Sequence, residues 1–134
     1  MDQLRELFRR MLSPDVYHLP MQVIIDRIID AYYDELLSQP GYRTVLLEYY
    51  LSPKATAIID NVNREIQPFF EALFAARAPD MELEQRKLIA MVTVEASCVL
   101  EFVSSEADDT LRIKLRLEEK RLLAAYLHTY FPDS

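Results

Sequence analysis

Glycine is almost absent from this sequence: Gly41 is the only one in 134 residues. Tight turns between strands and phosphate-cradling loops need glycine repeatedly, because glycine alone takes positive φ at little cost. The scarcity argues against a turn-rich β fold and leaves no glycine loop for a nucleotide. Cysteine is equally scarce. The single Cys98 excludes an internal disulfide framework and fits a reducing cytoplasm. Uninterrupted apolar runs fall far short of the roughly 20 residues of a bilayer span. No cationic leader with an apolar core and a small-residue cleavage site is seen. The expectation is a cytoplasmic chain with no membrane partner.

Histidine occurs twice, as His18 and His128. "DVYH" places Asp15 and His18 three residues apart, but carboxylate-bridged metal sites use such pairs twice over. No metal site is expected. No Ser-His-Asp set, zinc spacing or activated thiol is visible either, so neither an enzyme nor a cofactor is expected. Excess positive charge is missing too: 22 acids face 15 bases, a net charge of −7. Affinity for nucleic acid comes largely from Lys and Arg neutralising phosphates. The densest basic runs, "RIKLR" at Arg112 to Arg116 and "RR" at Arg9 and Arg10, read as solvated helix faces.

What remains is a helical chain punctuated by seven prolines. Its length suits one domain, residues 1–134, with a real core. Apolar residues at 3.6-residue spacing mark six helices. They run over about 2–12, 20–38, 42–51, 53–77, 81–105 and 108–131. "SP" at Ser13 ends the first, and "QPG" makes the next corner. Ser52 and Pro53 give a strong start signal for the fourth. Pro68 should kink or split that helix. Asp80 is expected to cap the fifth, and Asp108 or Asp109 the sixth. "LRIKLRL", Leu111 to Leu117, alternates like a strand, but it has no second strand to pair with and reads as helix.

The fifth helix is apolar nearly all round. Leu88, Val92, Val99 and Val103 share one arc, and Ala90, Val94, Ser97 and Cys98 lie opposite, with Glu101 the only charge on that side. A helix without a charged outer face is buried on both sides. The small-residue side is expected to meet a second subunit. Leu117, Ala124, His128 and Phe131 give the sixth helix a similar spare face. The pattern suggests a homodimer whose last two helices form a four-helix bundle. The alternative is a monomer with a deeply buried central pair.

Glu95 lies within the first arc, beside Met91. It is either a polar anchor in a ligand pocket, a salt-bridge partner of an arginine such as Arg64, or an edge position reaching solvent. Tyr32, Tyr49, Tyr50, Phe69, Phe70 and Phe74 either line a pocket or are plain core.

The stretch "LLSQPGYRTVLLEYYLSPKATAIIDNVNREIQPFFEALFAA", Leu36 to Ala76, followed by a long apolar helix and the closing "EEKRLLAAYLHTYF", Glu118 to Phe131, resembles the C-terminal regulatory domain of TetR-type transcriptional regulators. The resemblance covers about residues 1 to 131 and lies in the order of parts. It implies an all-α, six-helix orthogonal bundle. The two closing helices would dimerise, and the helices before them would enclose a small apolar or amphipathic effector. The expected pocket residues are Tyr32, Tyr50, Val62, Ile66, Phe69, Phe70, Met91 and Glu95. The family's three-helix DNA-binding unit has no counterpart here, so "MDQLRELFRRMLS", residues 1–13, resembles the remnant of the linker helix. DNA would be a partner only through that missing unit. The chain is then a fragment of a larger regulator or a protein that lost its DNA reader. A helical module that pairs with itself or another regulator, without a ligand, is the alternative.

Overall fold

The computed structural model describes residues 2–49 and 51–132. Six α-helices carry it: α1 (Asp2–Met11), α2 (Met21–Ala31), α3 (Pro40–Leu47), α4 (Pro53–Arg77), α5 (Leu83–Glu106) and α6 (Asp109–His128). Among the described residues there is no strand, and the alternating segment 111–117 lies within α6. A 3-10 turn, Pro14–Val16, follows α1, and a π-helical turn, Tyr32–Leu37, extends α2.

The helices pack as their apolar stripes demand. α4 packs on α5, α2 on α6, and α5 on α6, while α1 packs on α4 and α2. Leu73 and Phe74 of α4, Ile89 and Ala90 of α5, and Leu127 of α6 are fully enclosed. The Phe74 ring stacks on Phe131, centroids 4.8 Å apart, which brings the end of the chain into the core. Arg77 donates to the carbonyl of Tyr17 at 3.0 Å and also to that of Leu19, so the end of α4 holds the α1–α2 connection in place.

The starts of α4 and α6 follow their capping signals. The Ser52 hydroxyl accepts from the Ala55 amide at 3.4 Å, and the Asp108 carboxylate accepts from the Leu111 amide at 2.8 Å. Such caps contribute about 1 kcal/mol each. The α5 start differs from expectation: Glu82, not Asp80, is the capping position, and its side chain makes no cap bond. Pro68 does not split α4, which runs unbroken through it. Pro68 and Arg64, whose carbonyl loses its donor, are both exposed, so water can replace the missing bond. By length and composition α5 is apolar enough to cross a membrane, although its apolar runs are interrupted. Its packing against α4, α3 and α6 makes it the central helix of the domain.

Gly41 is not the corner. α3 begins at Pro40, two residues before the expected Tyr42, and Gly41 sits in its first turn without positive φ. A Cβ added there meets nothing within 4 Å. Gly41→Ala is therefore expected to stabilise the domain by up to about 1 kcal/mol, through lower unfolded-state entropy and better helix propensity. Urea unfolding checks this. A lower midpoint would mean that the fold itself needs glycine at position 41.

The largest correction concerns α5. The flank expected to face a partner is turned inward: Ala90 is 0% exposed, Val94 6% and Cys98 8%. Phe131 is likewise inside, against Phe74. Small residues let α4 and α6 approach α5 closely, so they serve packing within the subunit. The opposite arc, Leu88, Val92, Val99 and Val103, faces solvent.

Candidate functional site

The inward flank of α5 borders a cavity at the centre of the bundle. Leu4 and Phe8 of α1 and Ile25, Ile28 and Ile29 of α2 supply one apolar wall. Asn63, Ile66 and Phe70 of α4 face Val94, Ser97, Cys98 and Glu101 of α5, and Glu119 and Leu123 of α6 complete the enclosure. The centre of a water-sized molecule has about 40 Å³ to move in. One water needs roughly 10–15 Å³ on that measure, so the space suits a small group.

Polar groups gather at one part of this cavity. Glu119 is fully buried. Its Oε1 accepts from the Tyr33 hydroxyl at 2.9 Å, and that hydroxyl is also 2.8 Å from Ser104 Oγ. Its other oxygen, Oε2, meets no ordinary donor. The neighbouring group is the carboxyl of Glu101, on α5. Two carboxylates in contact inside a protein do not both ionise; they share a proton. Burial, then the charge of Glu119, pushes Glu101 well above the usual carboxyl range. Burial also raises Glu119, to about 7, against the opposing effects of Glu101, Tyr33 and Arg116. A protonated Glu101 thus donates to the Glu119 carboxylate.

The π turn makes this possible. One extra residue per turn brings adjacent Tyr32 and Tyr33 inward together, 2% and 3% exposed. Tyr32 donates to the Tyr42 hydroxyl of α3 at 3.0 Å, while Tyr33 reaches both α5 and α6. Arg116 lies over the Tyr33 ring, 4.8 Å from its centroid, and bonds Asp34 at 2.7 Å and Asp30 at 3.3 Å. Lys120 bonds Asp30 at 2.7 Å. The acid pair is therefore fixed from three helices. Asn63, 5% exposed, lies beside the Cys98 thiol, and its Nδ2 has no acceptor. Burial raises the Cys98 pKa, which keeps it a thiol.

The expected pocket residues are divided by the structure. Ile66 and Phe70 line the cavity. Val62 and Tyr32 are core residues beside it, and Phe69 faces a surface groove with Arg5 and Glu65. Met91 and Glu95 are exposed on the outer side of α5, so of the alternatives for Glu95 the solvent-reaching edge is the one observed. Tyr50 lies outside the described residues. Four residues assigned to a partner surface, Val94, Ser97, Cys98 and Glu101, border the cavity instead. Of the others, Leu117 and His128 are exposed and Ala124 is half-buried. Asp15 and His18 are both exposed, and Asp15 accepts from the Ser13 hydroxyl.

Glu119 and Asn63 escaped the sequence reading. Both had a signal. Glu119 precedes Leu123 and Leu127 at four-residue steps, and Asn63 follows Ile59 by four. Their place within "EEKR" and "NVNRE" reads as solvated surface instead.

The outer side of the closing pair is apolar. Leu88, Met91, Val92, Val99 and Val103 of α5 are exposed, as are Leu111, Leu117 and Leu122 of α6. Monomeric proteins rarely leave so many large apolar side chains together in water.

Residues 20–127 match the family model described as tetracyclin repressor-like, C-terminal domain. No curated protein and no solved structure matches the chain.

Proposed function

Because the chain belongs to the tetracyclin repressor-like C-terminal domain family, a regulatory rather than an enzymatic fold, we propose that it is the effector-sensing and dimerisation domain of a TetR-type transcriptional regulator in the cytoplasm. The observation that carries this reading is the two-sidedness of α5. One flank borders the central cavity, and the other presents a stripe of exposed Leu, Met and Val. The stripe is the surface a second copy would cover, with α5 and α6 of both subunits forming a four-helix bundle.

The cavity is the effector site. Leu4 and Phe8 belong to its wall, and Phe8 packs on Phe70 with ring centroids 5.8 Å apart. Filling the space therefore pushes on α1. We assign α1 to the helix that joins this domain to a DNA-binding unit. A tilt of α1 would change the spacing of two DNA readers, which is how an effector releases an operator. Contact with DNA would run through that unit and not through these helices.

The small volume favours a second reading, a helical module that dimerises with no ligand. Two measurements on the purified domain separate the readings. Light scattering at micromolar concentration is expected to give twice the chain mass, and thermal unfolding is expected to shift upward with small amphipathic molecules. A dimer indifferent to every small molecule supports the ligand-free module. A strict monomer removes both.

A further inference from the structure

The chemistry of the cavity is lopsided. Its lining holds two carboxyl groups, an amide, a hydroxyl and a thiol, with no Lys, Arg or His among the lining residues. The nearest cation, Arg116, is engaged by Asp30, Asp34 and the face of Tyr33. An anionic head group would meet carboxyls with nothing to neutralise it, and burying such a charge is costly. Two fully enclosed polar atoms also lack ordinary partners here, Glu119 Oε2 and Asn63 Nδ2. An unpaired acceptor inside a protein is costly, and a ligand donor would relieve that cost.

Resting on the sensor reading above, the geometry points to a ligand class: a short apolar molecule carrying a protonated amine, whose N–H groups enter between Glu101 and Glu119 in place of their shared proton. The ammonium supplies up to three donors, one for Oε2 of Glu119 and one for the Glu101 carboxylate. The hydrocarbon lies against Ile25, Ile29, Ile66 and Phe70. The proton balance is explicit. Glu101 loses its proton to solvent as the ammonium arrives, and the two carboxylates then face one ammonium with Arg116 behind the Tyr33 ring. The 40 Å³ available matches a small head group, so the body must be short unless α1 moves aside.

Butylamine, butanol and butyrate, matched in chain length, test this at pH 7.5 by thermal shift and calorimetry on the intact chain. Butylamine is expected to bind at least about tenfold tighter than butanol, and butyrate not at all, since charge-assisted hydrogen bonds are stronger than neutral ones. Glu119→Gln is expected to erase the amine's advantage, while Glu84→Gln, an exposed acid at the start of α5, keeps it. Should Glu119→Gln fail to fold, the wild-type chain still decides. Calorimetry in two buffers of different ionisation enthalpy should read the release of about one proton per amine. Butanol binding as well as butylamine, an advantage that survives Glu119→Gln, or binding without proton release overturns the amine assignment but leaves the sensor reading standing. Failure of all three probes to bind, with the dimer intact, sinks both.

Discussion

Val99→Glu is expected to convert the proposed dimer into a monomer that keeps its helical content. Val99 is 49% exposed at the middle of the outer α5 stripe, between Val92 and Val103. A two-fold interface repeats every substitution, so each association event brings two glutamates into the same apolar seam. Like charges desolvated at close range cost several kcal/mol, and every 1.4 kcal/mol weakens association about tenfold. The dissociation constant should rise by at least about 100-fold. Within the subunit the side chain points to water, so the melting profile of the monomer should change little. Ile58→Glu is the matched control. Ile58 is 42% exposed on α4, away from the stripe, and its substitution should leave association untouched. Equal sedimentation of wild type and Val99→Glu at micromolar concentration would remove the proposed interface.

The second large effect is on pH dependence. Both Glu101 and Glu119 have folded-state pKa values above the unfolded one, Glu119 at about 7. A raised acid stabilises the fold while protonated. That contribution is complete below the unfolded value of about 4.3 and is lost as pH rises through the folded value. The melting temperature is expected to be higher near pH 5 than at pH 8. Several groups shape the window. Tyr33 faces Glu119, and Arg116 and Ser104 lie behind it. Tyr32 and Cys98 face Glu101, with Tyr42 behind Tyr32. The three tyrosines and the thiol all have raised pKa values from burial and stay neutral throughout. Glu6 and Asp15 are lowered by Arg9 and Ser13 and act in the opposite sense, but only at lower pH and at exposed positions where solvent screens them. Glu119→Gln should flatten the profile between pH 5 and 8. A slope unchanged in that variant would mean that other groups set it.

The helices were legible in the sequence because period and punctuation agreed. Ser52 before Pro53, Asp108 before α6 and the stripe Ile59, Val62, Ile66, Phe70 all pointed the same way. The π turn was not legible. It differs from an α-helix by one residue per turn, and Tyr32 to Leu37 satisfies either period. The orientation of α5 was misread for a related reason. An all-round apolar helix does not say which side is inner, and the choice rested on treating small residues as an intersubunit seam. The packing of α4 and α6 on α5 decides otherwise: Ile89, Ala90, Thr93 and Val94 are buried, and Leu88, Met91 and Val92 remain outside. The acid pair stayed hidden because each glutamate looks solvated on its own helix. Only the crossing of α5 and α6 brings Glu101 and Glu119 together.

The two flanks of α5 lie roughly half a turn apart on one rigid rod. If, as proposed, one flank senses and the other pairs, changes around Val94, Ser97 and Cys98 retune what is sensed without touching who pairs with whom, and changes at Leu88, Val92 and Val99 rewrite pairing without retuning the sensor. Duplicated copies of such a gene could therefore drift to new chemical signals while still forming mixed pairs, or insulate themselves from each other while still answering the same signal.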